Sequence, residues 1–322
     1  MNGNAIRVRG LRKSFGDVHA LAGIDLDVRA GTVLGLLGHN GAGKTTLIRV
    51  LATVTPPTAG TAEVAGFDVS DQGLEVRRRI GLTGQFAALD EHLSGFANLV
   101  LIARLLGAGT GEARRRATEL VEMFDLGDAA RRRAGTYSGG MRRRIDLAAS
   151  LVARPSVLFL DEPTTGLDPV GRQVLWDAVR KLVADGTTVL LTTQYLDEAD
   201  QLADRIAVLD GGRVVAEGTA AELKATTGSR SLHITLAEGS EPGAAARALR
   251  DAGFSPVADG GNPRTVVVPV AEAADLVEVV RALVDGHTDI ADLVFTEPTL
   301  DDVYMSLARP GTRAAADGGK SG

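Results

Sequence analysis

The sequence predicts an α/β fold with a largely buried sheet over residues 6–226, followed by a small α+β domain. Three observations carry this reading. Short apolar runs alternate with helical patterns throughout the first part. Two of those runs, TVLGLL at 32–37 and VLFL at 157–160, are continuously apolar, as strands buried on both faces are. Beyond Thr226 the rhythm changes to β-α-β-β-α-β, the split pattern of ferredoxin-like domains.

Taken in order, stretches 6–10, 24–28 and 61–64 alternate apolar and polar residues, which predicts an antiparallel subdomain on one side of the main sheet. The strand at 32–37 runs into a Gly-rich loop and then a helix at 46–52. Residues 94–124 place Leu99, Ile102, Ala103 and Leu106, then Ala117, Leu120, Val121 and Phe124, at helical spacing around a Gly-rich break at 107–111, which reads as a helical insert. An amphipathic helix is expected at 142–153, ahead of the strand at 157–160. A strand-helix-strand series over 187–208 follows, then a strand at 214–217 and a short helix at 220–225.

TTGSR, residues 226–230, marks the expected boundary, giving a first domain over 1–228 and an accessory α+β domain over 229–308. Its elements are strands at 232–236, near Pro256, at 265–270 and at 290–295, helices at 242–251 and 273–284, and a last helix at 300–307. The tail 309–322 is rich in Gly, Ala and Ser and is expected to be disordered.

Composition narrows the classes. Of 322 residues, 44% are hydrophobic and 24% charged, an ordinary globular balance that excludes wholesale disorder. A net charge of -6 argues against a nucleic-acid partner held by a large basic face. The arginine triplets at 77–79, 114–116, 131–133 and 142–144 sit among acids within helical patterns and read as solvated helix faces. The absence of cysteine excludes disulfides and thiol chemistry. The first ten residues lack the apolar core of a secretory signal, and the longest candidate membrane segment, 97–106, is too short and carries Arg104.

The chemistry starts at GHNGAGKT, residues 38–45, which fits G-x-x-x-x-G-K-[ST] between a strand and a helix. Gly38, Gly41 and Gly43 let the backbone wrap a phosphate, and the helix start offers free N–H groups and the positive end of its dipole. Lys44 is expected to reach the β- and γ-phosphates and Thr45 to ligate Mg²⁺. The strand at 157–160 ends in Asp161 and Glu162; Asp161 is placed to hold magnesium, and Glu162 to orient and deprotonate an attacking water. Up to this point nucleotide hydrolases and kinases both remain open. YSGGM, residues 137–141, adds a second helix start at which Ser138 caps and Gly139 and Gly140 expose backbone N–H groups, and PTTGLDP follows the two acids.

In this order and spacing, GHNGAGKT, YSGGM and LFLDEPTTGLDP resemble the ATP-binding cassette (ABC) ATPases, over roughly residues 5–220. The resemblance implies an ABC-type P-loop ATPase domain, with ATP and Mg²⁺ as cofactors and nucleotide contacts along Gly38, His39, Asn40, Gly41, Ala42, Gly43, Lys44, Thr45 and Thr46. It implies that Phe15 stacks on adenine, that Gln85 touches magnesium and couples to a membrane subunit, that Asp168 is a further nucleotide contact, and that Ser138, Gly139 and Gly140 act from a second cassette. One chain has one copy of each motif, so a homodimer or a pairing with another cassette, head to tail, is implied. An integral membrane permease is implied as a separate partner, with this chain peripheral on the cytoplasmic face of the membrane.

One position departs from the family. Most cassettes carry a histidine on the γ-phosphate after the strand at 187–191, whereas here TTQYLDEAD puts Gln194 in its place. An amide donates a hydrogen bond but carries no proton charge, which leaves Glu162 as the base. TTQYLDEAD and EPTLDDVY, at 297–304, resemble the daunorubicin-resistance type of drug-export ATPase and extend the resemblance over nearly the whole chain. Export of a lipid or polysaccharide, or a soluble non-transport role, is the alternative.

Overall fold

The computed structural model describes residues 3–83, 89–227, 230–258, 262–270 and 274–308. The chain divides into two compact units, Met1–Ala220 and Ala221–Gly322. The cut falls one short helix ahead of the boundary expected at 228. The tail expected to be disordered, 309–322, lies outside the described residues.

In the first unit, β1 (Asn4–Phe15) and β2 (Val18–Arg29) form a long antiparallel pair, β3 (Val33–Leu37) leads into α1 (Lys44–Leu51), and β4 (Ala59–Val64) and β5 (Phe67–Asp68) complete an antiparallel sheet of order β2-β1-β4-β5. Then come α2 (Gly73–Arg77), β6 (Ile80–Thr83), the insert helices α3 (Gly95–Leu105) and α4 (Thr110–Met123), two 3-10 turns at Gly127–Arg131 and Ala134–Thr136, and α5 (Gly139–Ser150). The unit continues with β7 (Val157–Asp161), α6 (Pro169–Ala184), β8 (Thr188–Thr193), α7 (Leu196–Leu202), β9 (Arg205–Asp210) and β10 (Arg213–Gly218). Its main sheet has the order β10-β9-β3-β8-β7-β6, with every pairing parallel except β10 on β9.

The continuous apolar runs are explained by what covers the two faces. Along β7, Leu158 and Leu160 enter a core shared with Leu99, Phe124, Ile145 and Leu175, while Val157 and Phe159 enter another with Ile6, Ile24 and Leu47. Successive strand side chains point to opposite faces, so a strand covered on both sides must be apolar throughout. The helical insert closes one face and the antiparallel sheet with α1 the other. Only the strand ends are free for polar groups, and at the carboxyl ends of β3, β7 and β8 the chemistry-bearing residues follow.

Two helix starts differ from the sequence reading. α1 begins at Lys44 rather than 46, because Gly43 at φ 110° delivers the chain straight into the helix. α5 begins at Gly139 rather than 142 and ends at Ser150, because the Ser138 hydroxyl accepts from Met141 N and caps the first turn. The arginine triplets are also not uniformly solvated. Arg79 stacks on Phe67 at 4.1 Å, Arg116 donates to Leu151 O at 2.6 Å, and Arg144 donates to Asp125 O at 3.1 Å. Their stems cross apolar surface to reach backbone carbonyls, which a purely helical pattern does not reveal.

The second unit opens with α8 (Ala220–Thr227) and continues through β11 (Arg230–Leu236), α9 (Pro242–Asp251), β12 (Val257–Ala258), β13 (Thr265–Val270), α10 (Asp275–Asp285), β14 (Ile290–Thr296) and α11 (Leu300–Ala308). Its antiparallel sheet has the order β12-β13-β11-β14. Leu232, Ile234 and Leu236 pack with Val266, Val268 and Val270 beneath Ala245 and Leu249 of α9 and Val279 and Leu283 of α10.

Candidate functional site

The loop between β3 and α1 is shaped by its own chain. A Cβ at Gly38 would lie 2.5 Å from Leu209 O, and one at Gly43 would lie 2.6 Å from Ala20 O. No side chain caps α1. Its first N–H groups have no helical acceptors, so they face an incoming ligand together with the positive end of the helix. His39 braces the loop, with Nδ1 2.6 Å from Asn40 O and Nε2 3.1 Å from Asp210 Oδ1. Ala42 is buried and Thr46 partly so, on the first turn of α1.

Lys44 is only 5% exposed. Its ammonium donates to Gly38 O at 2.6 Å and His39 O at 3.2 Å, with Glu162 Oε1 at 4.0 Å. Burial holds its pKa below the usual lysine value, against the attraction of Glu162 and Asp161. A desolvated cation satisfied by loop carbonyls and one distant carboxylate fits a phosphate well, because an anion restores the charge balance that burial removed.

The acids come from β7. The register pairs Asp161 with Thr192 on β8, and the Thr192 hydroxyl donates to Asp161 Oδ1 at 2.6 Å. Thr45 donates to the same oxygen at 3.2 Å. Among the described residues there is no cluster of three or more His, Cys, Asp or Glu suited to a metal. Magnesium needs no such cage, because a carboxylate, a hydroxyl and phosphate oxygens suffice, and Thr45 with Asp161 would supply the protein's part of such a set. Glu162 sits in the left-handed region at φ 46°, its N–H shared between Thr192 O and Thr192 Oγ1, each at 3.1 Å. For a non-glycine residue that conformation costs about 1–3 kcal/mol. It turns Glu162 away from the strand direction that Asp161 follows.

Asn40, Thr45, Asp161, Glu162, Thr165 and Arg143 line one pocket of about 440 Å³. The structure thus brings together the loop and the two acids, which the sequence had linked only by motif order. Ser138, Gly139 and Gly140 are not among its lining residues. They begin α5 at the surface, Ser138 and Gly139 exposed. Asp168 caps α6, accepting from Gly171 N at 2.8 Å. Phe15 ends β1 with 53% of its surface exposed and Lys13 Nζ 5.0 Å from its ring centre. An aromatic that open is not part of the core, and its ring face is free to take a planar ligand. Gln194 is exposed at the bend between β8 and α7. Gln85 lies outside the described residues. Sequence reasoning missed Arg143, Thr165 and Thr192. Thr192 was hidden because its place beside the acids depends on the order of the strands, and Arg143 was hidden among three arginines.

Comparison with known proteins agrees with this geometry. The family model described as ABC transporter matches residues 21–165. A solved ATP-binding subunit of an ABC transporter is 27% identical, with a TM-score of 0.63 over 69% of this chain and 92% of that one. A dimeric ATP-binding cassette in a post-hydrolysis state bound to ADP and Pi is 26% identical, with a TM-score of 0.61 over 66% of this chain and 98% of that one. The fold is that of an ATP-binding, ATP-hydrolysing cassette. Among curated relatives, daunorubicin resistance ATP-binding protein DrrA3 of Streptomyces coeruleorubidus is 54% identical, covering 95% of this chain and 96% of its own length. Daunorubicin/doxorubicin resistance ATP-binding protein DrrA of Streptomyces peucetius is 49% identical, covering 94% and 92%. Nod factor export ATP-binding protein I of Ralstonia nicotianae is 42% identical over 68% of each chain. The chain belongs to the ABC transporter family, as an ATP-binding subunit of the kind found in daunorubicin and doxorubicin resistance.

Proposed function

We propose that this chain is the peripheral motor of an exporter of a hydrophobic drug or antibiotic, working on a separate integral membrane permease. The observation that carries the chemistry is the meeting of Thr45, Asp161 and Glu162 in one pocket at the strand ends, with the Lys44 ammonium 4.0 Å from Glu162 Oε1. Among the described residues no helix is long and apolar enough to cross a membrane, which fits a channel supplied by another protein. Full-length similarity to the resistance proteins, against 68% coverage by the Nod factor relative, favours drug over lipid or polysaccharide cargo. Residues 229–308 then form an accessory domain of that type.

In this reading the loop from Gly38 to Thr46 wraps the phosphates of ATP, Phe15 carries the adenine, and Lys44 moves its ammonium from the loop carbonyls to the β- and γ-phosphates. Thr45 and Asp161, with Gln85, would hold a magnesium ion, which would neutralise charge on the phosphates. Glu162 takes a proton from the water that attacks the γ-phosphorus as the bond to ADP breaks, a contribution of about 10²–10⁴-fold. Gln194 donates its amide to the γ-phosphate. Ser138, Gly139 and Gly140 of a second cassette close the site, so two chains bury two nucleotides head to tail, with Asp168 a further nucleotide contact.

Glu162→Gln tests the assignment of the base. Nucleotide binding is expected to persist, while hydrolysis falls at least about 100-fold. Normal turnover in the purified variant removes Glu162 from that role.

A further inference from the structure

The turn that carries Glu162 is held from both sides. From β8, Thr192 accepts the Glu162 N–H with its carbonyl and its hydroxyl. From α5, the Arg143 guanidinium donates to three consecutive carbonyls: Nη2 to Asp161 O at 2.7 Å and Glu162 O at 2.9 Å, and Nε to Pro163 O at 2.9 Å. Glu162 occupies a backbone region that a side chain disfavours, and such strain persists only where the surroundings over-determine it. Arg143 is the part of those surroundings that a helix rather than the sheet supplies. A planar fork with five donors spans several carbonyls at fixed geometry, which a lysine ammonium does not. The helix that bears it is the one whose first turn carries Ser138, Gly139 and Gly140.

We propose that Arg143 is a positioning residue for Glu162, through which α5 sets the direction of the carboxylate in the hydrolytic pocket. This rests on the reading of Glu162 as the base. Arg143 acts on the backbone of the turn and leaves phosphate binding to the loop. Its influence therefore falls on the chemical step rather than on nucleotide affinity. Because α5 also presents the signature residues, docking of its first turn and placement of Glu162 are mechanically linked through a single side chain.

The test uses the purified full chain carrying Arg143→Lys or Arg143→Gln, each alone and combined with Glu162→Gln, with steady-state and single-turnover ATP hydrolysis and binding of a fluorescent ATP analogue. We expect kcat to fall about 10–100-fold, as for a displaced catalytic group, while nucleotide affinity stays within about twofold. The double variants should be no slower than Glu162→Gln alone, since both changes act through one carboxylate. Arg143→Lys preserves charge and bulk and decides the matter if Arg143→Gln does not fold. Unchanged kcat in both single variants, beside an inactive Glu162→Gln, overturns this proposal alone. Weakened nucleotide binding with kcat intact also overturns it, placing Arg143 on the ligand instead. Normal turnover in Glu162→Gln removes the base assignment itself.

Discussion

The two Gly-rich stretches of the first unit look alike in sequence and differ in what demands the glycine. In the phosphate loop the chain itself demands it: Gly43 has a left-handed φ of 110°, and added Cβ atoms at Gly38 and Gly43 meet the carbonyls of Leu209 and Ala20. At the start of α5 an added Cβ on Gly139 meets nothing within 4 Å, and on Gly140 only Leu167 Cδ2 at 3.5 Å. Folding does not require the second pair. Under the proposed function their requirement lies in the nucleotide of a second cassette that docks on them.

Substitution separates the two cases. Gly43→Ala should destabilise the first unit by about 3 kcal/mol or more, since backbone strain and a carbonyl clash add, read as a lower urea midpoint. Gly139→Ala should leave stability within about 0.5 kcal/mol while lowering ATP hydrolysis. Equal loss of stability in both would erase the distinction. A smaller effect probes the inner turn of α5. Burial pushes the Asp146 carboxyl up to about 6, against Arg142 and Arg143, which hold it down. Its ordinary value is 3.8, so the folded chain retains this proton over a range in which the unfolded chain releases it, and stability falls as pH rises between the two values. Asp146→Asn should therefore gain about 1 kcal/mol near pH 8, discounted for partial solvent screening, and nothing below about pH 4. Urea denaturation at the two pH values checks it.

The same contrast explains what was legible in the sequence. The loop was legible because wrapping a phosphate needs glycine at set positions between strand and helix, and Asp161 and Glu162 were legible because they interrupt an apolar strand. The Ser138 cap could be read as a cap, although α5 starts three residues before the helix read from its apolar pattern, because capping rather than apolar spacing sets where a helix begins. Arg143 was not legible: three arginines in a row give no sign of which one faces inward, and that depends on where α5 crosses the end of β7. Nor was the Thr192 bond to Asp161, which depends on β8 lying beside β7 rather than on any sequence neighbourhood. Local chemistry could be read from local pattern, whereas contacts made by sheet order needed the fold.

Complementation between two inactive chains tests the shared site most directly. Lys44→Ala disables the loop and leaves the signature intact; Gly139→Arg does the reverse, filling open space with a charged side chain. Each alone should hydrolyse no ATP in a single-turnover assay. Mixed in equal amounts they should regain hydrolysis, because a hetero-pair joins the sound loop of one chain to the sound signature of the other. If the mixture stays inactive while both variants fold and the Gly139→Arg chain binds nucleotide, the site is not divided between chains.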